Sequence, residues 1–221
     1  VTAPAHIVVA IDGPAASGKS SVARSLAKKL GFVYVNTGAM YRAVTWFVLE
    51  KEIPSLEVEK VAALIAGVHI ECGLANAEST IRIDGTDPSA HINGEPVNRN
   101  VSNIATVREV REILVAKQRE YALHHDIVME GRDIGSVVFP HTPYKFYVDA
   151  SLEVRARRRY QQGLHDHVSA RDKIDSTRRA SPLTIAEDAH VIDSSNLTID
   201  GVVGEIIGRL KLKGLRMKNL E

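Results

Sequence analysis

The 221-residue chain has a single cysteine, Cys72, so no intrachain disulfide can form, which suits a reducing compartment. It has no excess of charge of either sign: 28 basic residues face 27 acidic ones. A general nucleic-acid or membrane binder is usually more basic, so any positive surface must be local. No apolar run is long enough to span a bilayer, and no signal peptide is recognisable. Internal repeats and low-complexity segments are absent, as is an Asn-Lys-x-Asp guanine reader, which argues against a regulatory GTPase. The expectation from these absences is a cytoplasmic protein with one sizeable core and a lobe inserted into it.

What is present begins at Gly13-Pro14-Ala15-Ala16-Ser17-Gly18-Lys19-Ser20, which fits the phosphate-binding loop pattern G-x-x-x-x-G-K-[ST] at every fixed position. The apolar run Ile7–Ile11 reads as a buried strand leading in. Ser20 to Leu30 reads as a helix leading out, with Val22, Leu26 and Leu30 on one face and Gly31 as its stop. Glycines let the loop turn its N–H groups inward around an anion, and the helix N-terminus adds partial positive charge. Lys19 has the reach for the outer phosphates, and the Ser20 hydroxyl suits a Mg²⁺ ion.

Strand and helix then alternate, which predicts a parallel sheet covered on both faces. Strands are predicted at 32–35, 126–129, 144–148 and 191–192, and helices at 37–50, 56–66, 105–123, 152–162, 170–179 and 199–210. The middle differs. His69–Cys72 and Thr80–Asp84 alternate with period two, and Asp84-Gly85 and Asn93-Gly94 are turn signals. A small antiparallel sheet inserted at about 67–97 is the expectation.

A phosphate loop alone specifies nucleotide binding but no reaction. Two further segments follow predicted strands, at the edge where such sheets bind ligands. In Asn36-Thr37-Gly38-Ala39-Met40-Tyr41-Arg42, a hydroxyl and an arginine suit a base and a phosphate; alone, they read as a helix cap and a surface residue. In Glu130-Gly131-Arg132-Asp133-Ile134-Gly135, Arg132 suits bidentate phosphate binding, or a plain ion pair with Asp133. Arginines crowd 155–179: Arg155, Arg157, Arg158 and Arg159, then Arg171, Arg178 and Arg179. They suit a lid that closes over a transferred phosphoryl group, or else a solvated helix face or an RNA-binding patch. His165 and His167 lie between the two groups without a third ligand, so no metal site is expected there.

Taken in order, these segments resemble the bacterial cytidylate kinases of the nucleoside monophosphate kinase group. Val137-Val138-Phe139-Pro140, the Arg171…Asp175…Arg178 spacing and Ile192–Leu197 extend the match along nearly the whole chain. The resemblance implies a three-layer α/β phosphate-loop fold with an arginine-rich lid. Its core would comprise 1–36, 104–154 and 180–221, its monophosphate-binding lobe 37–103 and its lid 155–179. It implies phosphoryl transfer from ATP to CMP or dCMP with Mg²⁺, by a monomer with no nucleic-acid or membrane partner. By position, Gly13 to Ser20, Ser21 and Arg157 would hold ATP, with Ser20 at the metal. Thr37, Arg42, Ser102, Arg111, Arg132, Asp133, Arg171, Asp175 and Arg178 would hold CMP. Lys19, Arg132, Arg171 and Arg178 would stabilise the transferred group. The chain departs from the family pattern at Asn36, where aspartate is common, at Ser136, a frequent threonine, and at Asn93, often arginine.

Overall fold

A computed structural model of the chain describes residues 6–161, 168–178 and 181–215. The expected link at 163–167, with His165 and His167, and Arg179 lie outside the described residues. Seven strands form one sheet: β1 (Val8–Asp12), β2 (Val33–Asn36), β3 (Ile70–Ala75), β4 (Glu78–Ile83), β5 (Ile127–Gly131), β6 (Tyr144–Asp149) and β7 (His190–Asp193). Their order is β3-β4-β2-β5-β1-β6-β7, parallel except for the β3–β4 pair. β1 and β5 are buried at all five positions because helices cover both faces, which is why they read as unbroken apolar runs.

The helices are α1 (Lys19–Leu30), α2 (Thr37–Glu50), α3 (Val58–Ala66), α4 (Glu95–Ile104), α5 (Arg108–Tyr121), α6 (Leu152–Gln161), α7 (Val168–Thr177) and α8 (Ile199–Leu212). α1 and α8 pack one face of the sheet through Val22, Leu26, Val203 and Ile206 against Val9, Ile11 and Val148. α2 to α5 gather a second core around Met40, Val44, Val61, Ile104 and Leu114. Gly31 ends α1 in the left-handed region, φ 72°, as its place after the last apolar residue predicts.

The inserted region departs from expectation in two ways. The antiparallel pair is there, turning at Asn76-Ala77 with φ 52° and 60°, and Asp84-Gly85 forms a second tight turn. The hairpin is not a separate sheet, however: Tyr34 of β2 pairs with Glu78, so β4 and β3 extend the edge of the main one. Tyr121 pins it from α5, its hydroxyl within 3.1 Å of Gly73 O and 3.3 Å of Thr80 O. Asn93-Gly94 does not join extended runs. Gly94 caps α4, a helix the sequence reading passed over, and Asn98 Nδ2 donates back to Asn93 O at 2.8 Å. Beside this entry, His91 stacks on Trp46 of α2, ring centroids 5.7 Å apart. After β5 the chain makes one π-helical turn, Ile134–Val138, also unforeseen.

Candidate active site

The C-terminal ends of β1, β2, β5 and β7 open into one cleft of about 420 Å³. The phosphate loop forms its floor. Gly13 is obligatory there, since a Cβ would sit 2.1 Å from Val148 O of β6. Gly18 starts α1 at φ 91°, and Ala16 also takes a left-handed conformation, φ 60°. Ala15 to Ser21, the loop and the first turn of α1, line the cleft, and a helix N-terminus there favours an anion. Lys19 is buried, and its Nζ donates to Pro14 O at 2.9 Å. Burial first, then the nearby Arg132, lower its ammonium to about 7. Ser20 and Ser21 are exposed on the cleft wall.

The opposite wall carries the candidate acceptor residues. Thr37 Oγ1 donates to Glu130 O at 2.7 Å, tying the start of α2 to the end of β5. Asn36 caps α2 by accepting from Ala39 N at 2.9 Å. Asp133 is buried in an ion pair with Arg111, whose guanidinium lies 5.7 Å from the centre of the Tyr41 ring. Arg111 stands behind Asp133 and does not itself line the cleft. Ser102 of α4 does.

Arginines converge between the two walls. Arg132 Nε donates to Asp175 Oδ2 at 2.9 Å, and Arg178 Nε to Asp175 O at 3.2 Å. Burial would raise the Asp175 carboxyl, but Arg132 and Arg178 outweigh it and hold it below the usual range. Burial, reinforced by Arg171 and Arg132, lowers Arg42 to about 10, still charged at neutral pH. Arg42 Nε and Arg178 Nη2 are buried with no acceptor among the described residues. A donor in that state costs free energy unless a ligand supplies the acceptor, and here only an anion satisfies the charge as well.

Most of the residues expected from the sequence line this cleft: Ala15 to Ser21, Thr37, Arg42, Ser102, Arg132, Asp133, Arg171, Asp175 and Arg178. Gly13 and Pro14 lie beneath it. Arg157 is exposed and outside the lining, whereas its neighbour Arg158 lies within it. Arg158 donates to Ser17 O at 3.1 Å and to Ser194 O at 2.8 Å, next to the exposed Leu197 and Ile199. One residue is about 100° of helix, so a run of arginines gives the right helix but not the right member. Two more residues went unread. Asp172 of α7 pairs with Arg155 of α6 and accepts from Ala15 N at 3.2 Å, fastening the two helices to the phosphate loop. Glu130 is buried on the cleft wall and accepts from Tyr34 OH at 3.1 Å. Its signal was a carboxylate at the head of the Glu130–Gly135 segment, where Arg132 and Asp133 drew the functional reading.

No group of three His, Cys, Asp or Glu side chains able to hold a metal occurs among the described residues. The donors present, the Ser20 hydroxyl and the Glu130 carboxylate, are hard oxygens. They suit Mg²⁺, which is ordinarily bound by one or two protein oxygens with water and substrate phosphates completing its shell. No helix among the described residues is long and apolar enough to cross a membrane.

This arrangement has relatives. The cytidylate kinase profile matches residues 9–212. A cytidylate kinase of Clostridium botulinum is 42% identical over 217 residues, covering 93% of this chain and 98% of that protein. One from Caldanaerobacter subterraneus is 44% identical over 211 residues, covering 90% and 92%. Among solved structures, a gluconokinase from Sinorhizobium meliloti aligns with 97% of the chain at 12% identity, TM-score 0.49. With the profile spanning all but the ends, and the relatives alike along almost their full length, the chain is a kinase and belongs to the cytidylate kinase family.

Proposed function

We propose that the protein transfers the terminal phosphoryl group of ATP to CMP or dCMP, giving ADP and the corresponding diphosphate. The observation that carries this is the pair of unsatisfied guanidinium N–H groups, on Arg42 and Arg178, set between a phosphate loop and a buried Asp133. In this reading two anions meet there, and one of them carries a base whose hydrogen-bond donor Asp133 accepts.

The loop amides and Lys19 hold the ATP phosphates, Lys19 Nζ exchanging Pro14 O for phosphate oxygen. Ser20, joined by Glu130, supplies the hard oxygens for Mg²⁺, which neutralises phosphate charge when bound. Arg158, Leu197 and Ile199 form the wall against which the adenine packs. Across the cleft, Arg42 and Arg132 grip the CMP phosphate. Asp133, held by Arg111, accepts from the cytosine exocyclic amine, with Thr37 and Ser102 beside the base. Arg171 and Asp175 hold the sugar, and Arg178 reaches from base toward phosphate. A CMP phosphate oxygen is already nucleophilic, so no general base is needed. Rate comes from aligning the two anions and from arginine charge around the transferred group as the lobe at 37–103 and the lid at 155–179 close.

A coupled assay of ADP release with ATP–Mg²⁺ tests this, comparing CMP, dCMP, UMP, AMP and GMP at matched concentration. Turnover confined to CMP and dCMP is expected. Preference for another monophosphate would overturn the cytosine assignment.

A further inference from the structure

One buried carboxylate has no part in the scheme above. Asp12 is the last residue of β1, directly before Gly13, and is 5% exposed. Each of its oxygens accepts a backbone N–H, from Ile134 and from Gly135, both at 2.8 Å. These amides open the π-helical turn, immediately after Arg132 and Asp133. The same turn is gripped at its far end by Arg119, which donates to Val137 O and Val138 O at 3.0 Å each.

A buried carboxylate is a costly way to satisfy two amides, and burial pushes this one up to about 7 despite both bonds. What the carboxylate alone offers is two acceptor oxygens in one plane. An amide of the same shape has one, and would set its own NH₂ against the second N–H. The bonds also join two segments that bind different substrates. Residue 12 continues into the phosphate loop, and residues 132–133 precede the amides it holds.

We propose that Asp12 is a positioning residue for the phosphoryl acceptor: by clamping the Ile134 and Gly135 amides it fixes the direction of Arg132 and Asp133. The inference rests on the reading of Arg132 and Asp133 as acceptor-binding groups. Without the clamp the turn keeps its anchor at Arg119 but loses the one nearest the two side chains that read phosphate and base. The defect therefore falls on the acceptor side and on base choice, not on ATP.

The test is Asp12→Asn, assayed for KM of each substrate and for kcat/KM with CMP and UMP. The KM for CMP is expected to rise, and the CMP/UMP ratio of kcat/KM to fall, each about tenfold, while the KM for ATP stays within about twofold. A lower kcat with both acceptor readouts unchanged, or a parallel rise in both KM values, would overturn the proposal. A wild-type enzyme that preferred another base would instead defeat the cytosine reading, and the same comparison would be made with that base. Should Asp12→Asn fail to fold, amide hydrogen exchange in the wild type decides. Slow exchange at Ile134 and Gly135 is expected; rapid exchange at both would sink the clamp.

Discussion

Lys19 is an ammonium kept in reserve. Among the described residues its side chain donates to the Pro14 carbonyl, and burial with Arg132 nearby brings it down to about 7. Its contribution to stability is full above the ordinary 10.5 and is lost as pH falls toward 7, where the buried charge must be carried. A bound phosphate reverses this by favouring the charged form. At pH 8.5, where ATP is fully ionised, ATP binding is therefore expected to take up close to one proton. Calorimetry in buffers of different ionisation enthalpy measures that number, and Lys19→Met should remove it. A wild-type value of zero would mean that Lys19 is already charged. Asp133 is tested by its preference rather than by its proton. Asp133→Asn replaces the acceptor proposed to face the cytosine amine with a group that also suits a carbonyl. The CMP over UMP preference in kcat/KM is expected to fall by about tenfold or more. An unchanged ratio would take base reading away from Asp133.

At the scale of elements, sequence and structure agree where a local pattern has a single solution. The apolar run before Gly13, the spacing after Lys19 and the stop at Gly31 place β1 and α1 to within a residue. α4 is different. Asn98, Asn100 and Asn103 give it little helical propensity, and Asn93-Gly94 before it reads as a hairpin turn. It is helical because Val97, Val101 and Ile104 find a core to bury in, one built by α2 and α5 from elsewhere in the chain. Arg158 and Asp12 escaped for the same reason: each acts through a partner more than a hundred residues away. The β3–β4 hairpin likewise owes its place to a distant residue. A single pairing joins it to β2, and Tyr121 OH anchors it from the other side. Tyr121→Phe is expected to cost about 1 kcal/mol of stability, since the Gly73 and Thr80 carbonyls lose a donor, with turnover unchanged. Denaturant unfolding beside the coupled assay checks both halves; a fall in kcat would mean that the hairpin's anchoring reaches the cleft.

At the scale of the molecule, the floor of the cleft is one loop with the first turn of α1, whereas the opposite wall is assembled from several elements. Arg42 comes from α2, Ser102 from α4, Arg132 and Asp133 from the turn after β5, and Asp175 and Arg178 from α7 and its end. Residues 37–103 are proposed to move as the acceptor binds. The pair Trp46 and His91 joins α2 to the entry of α4 within that region. Trp46 is the chain's only tryptophan. Its emission is therefore an unlabelled optical gauge placed inside the segment proposed to close. CMP is expected to change its intensity or wavelength and ATP to leave it nearly still, so that stopped-flow fluorescence would time acceptor binding apart from the chemistry that follows.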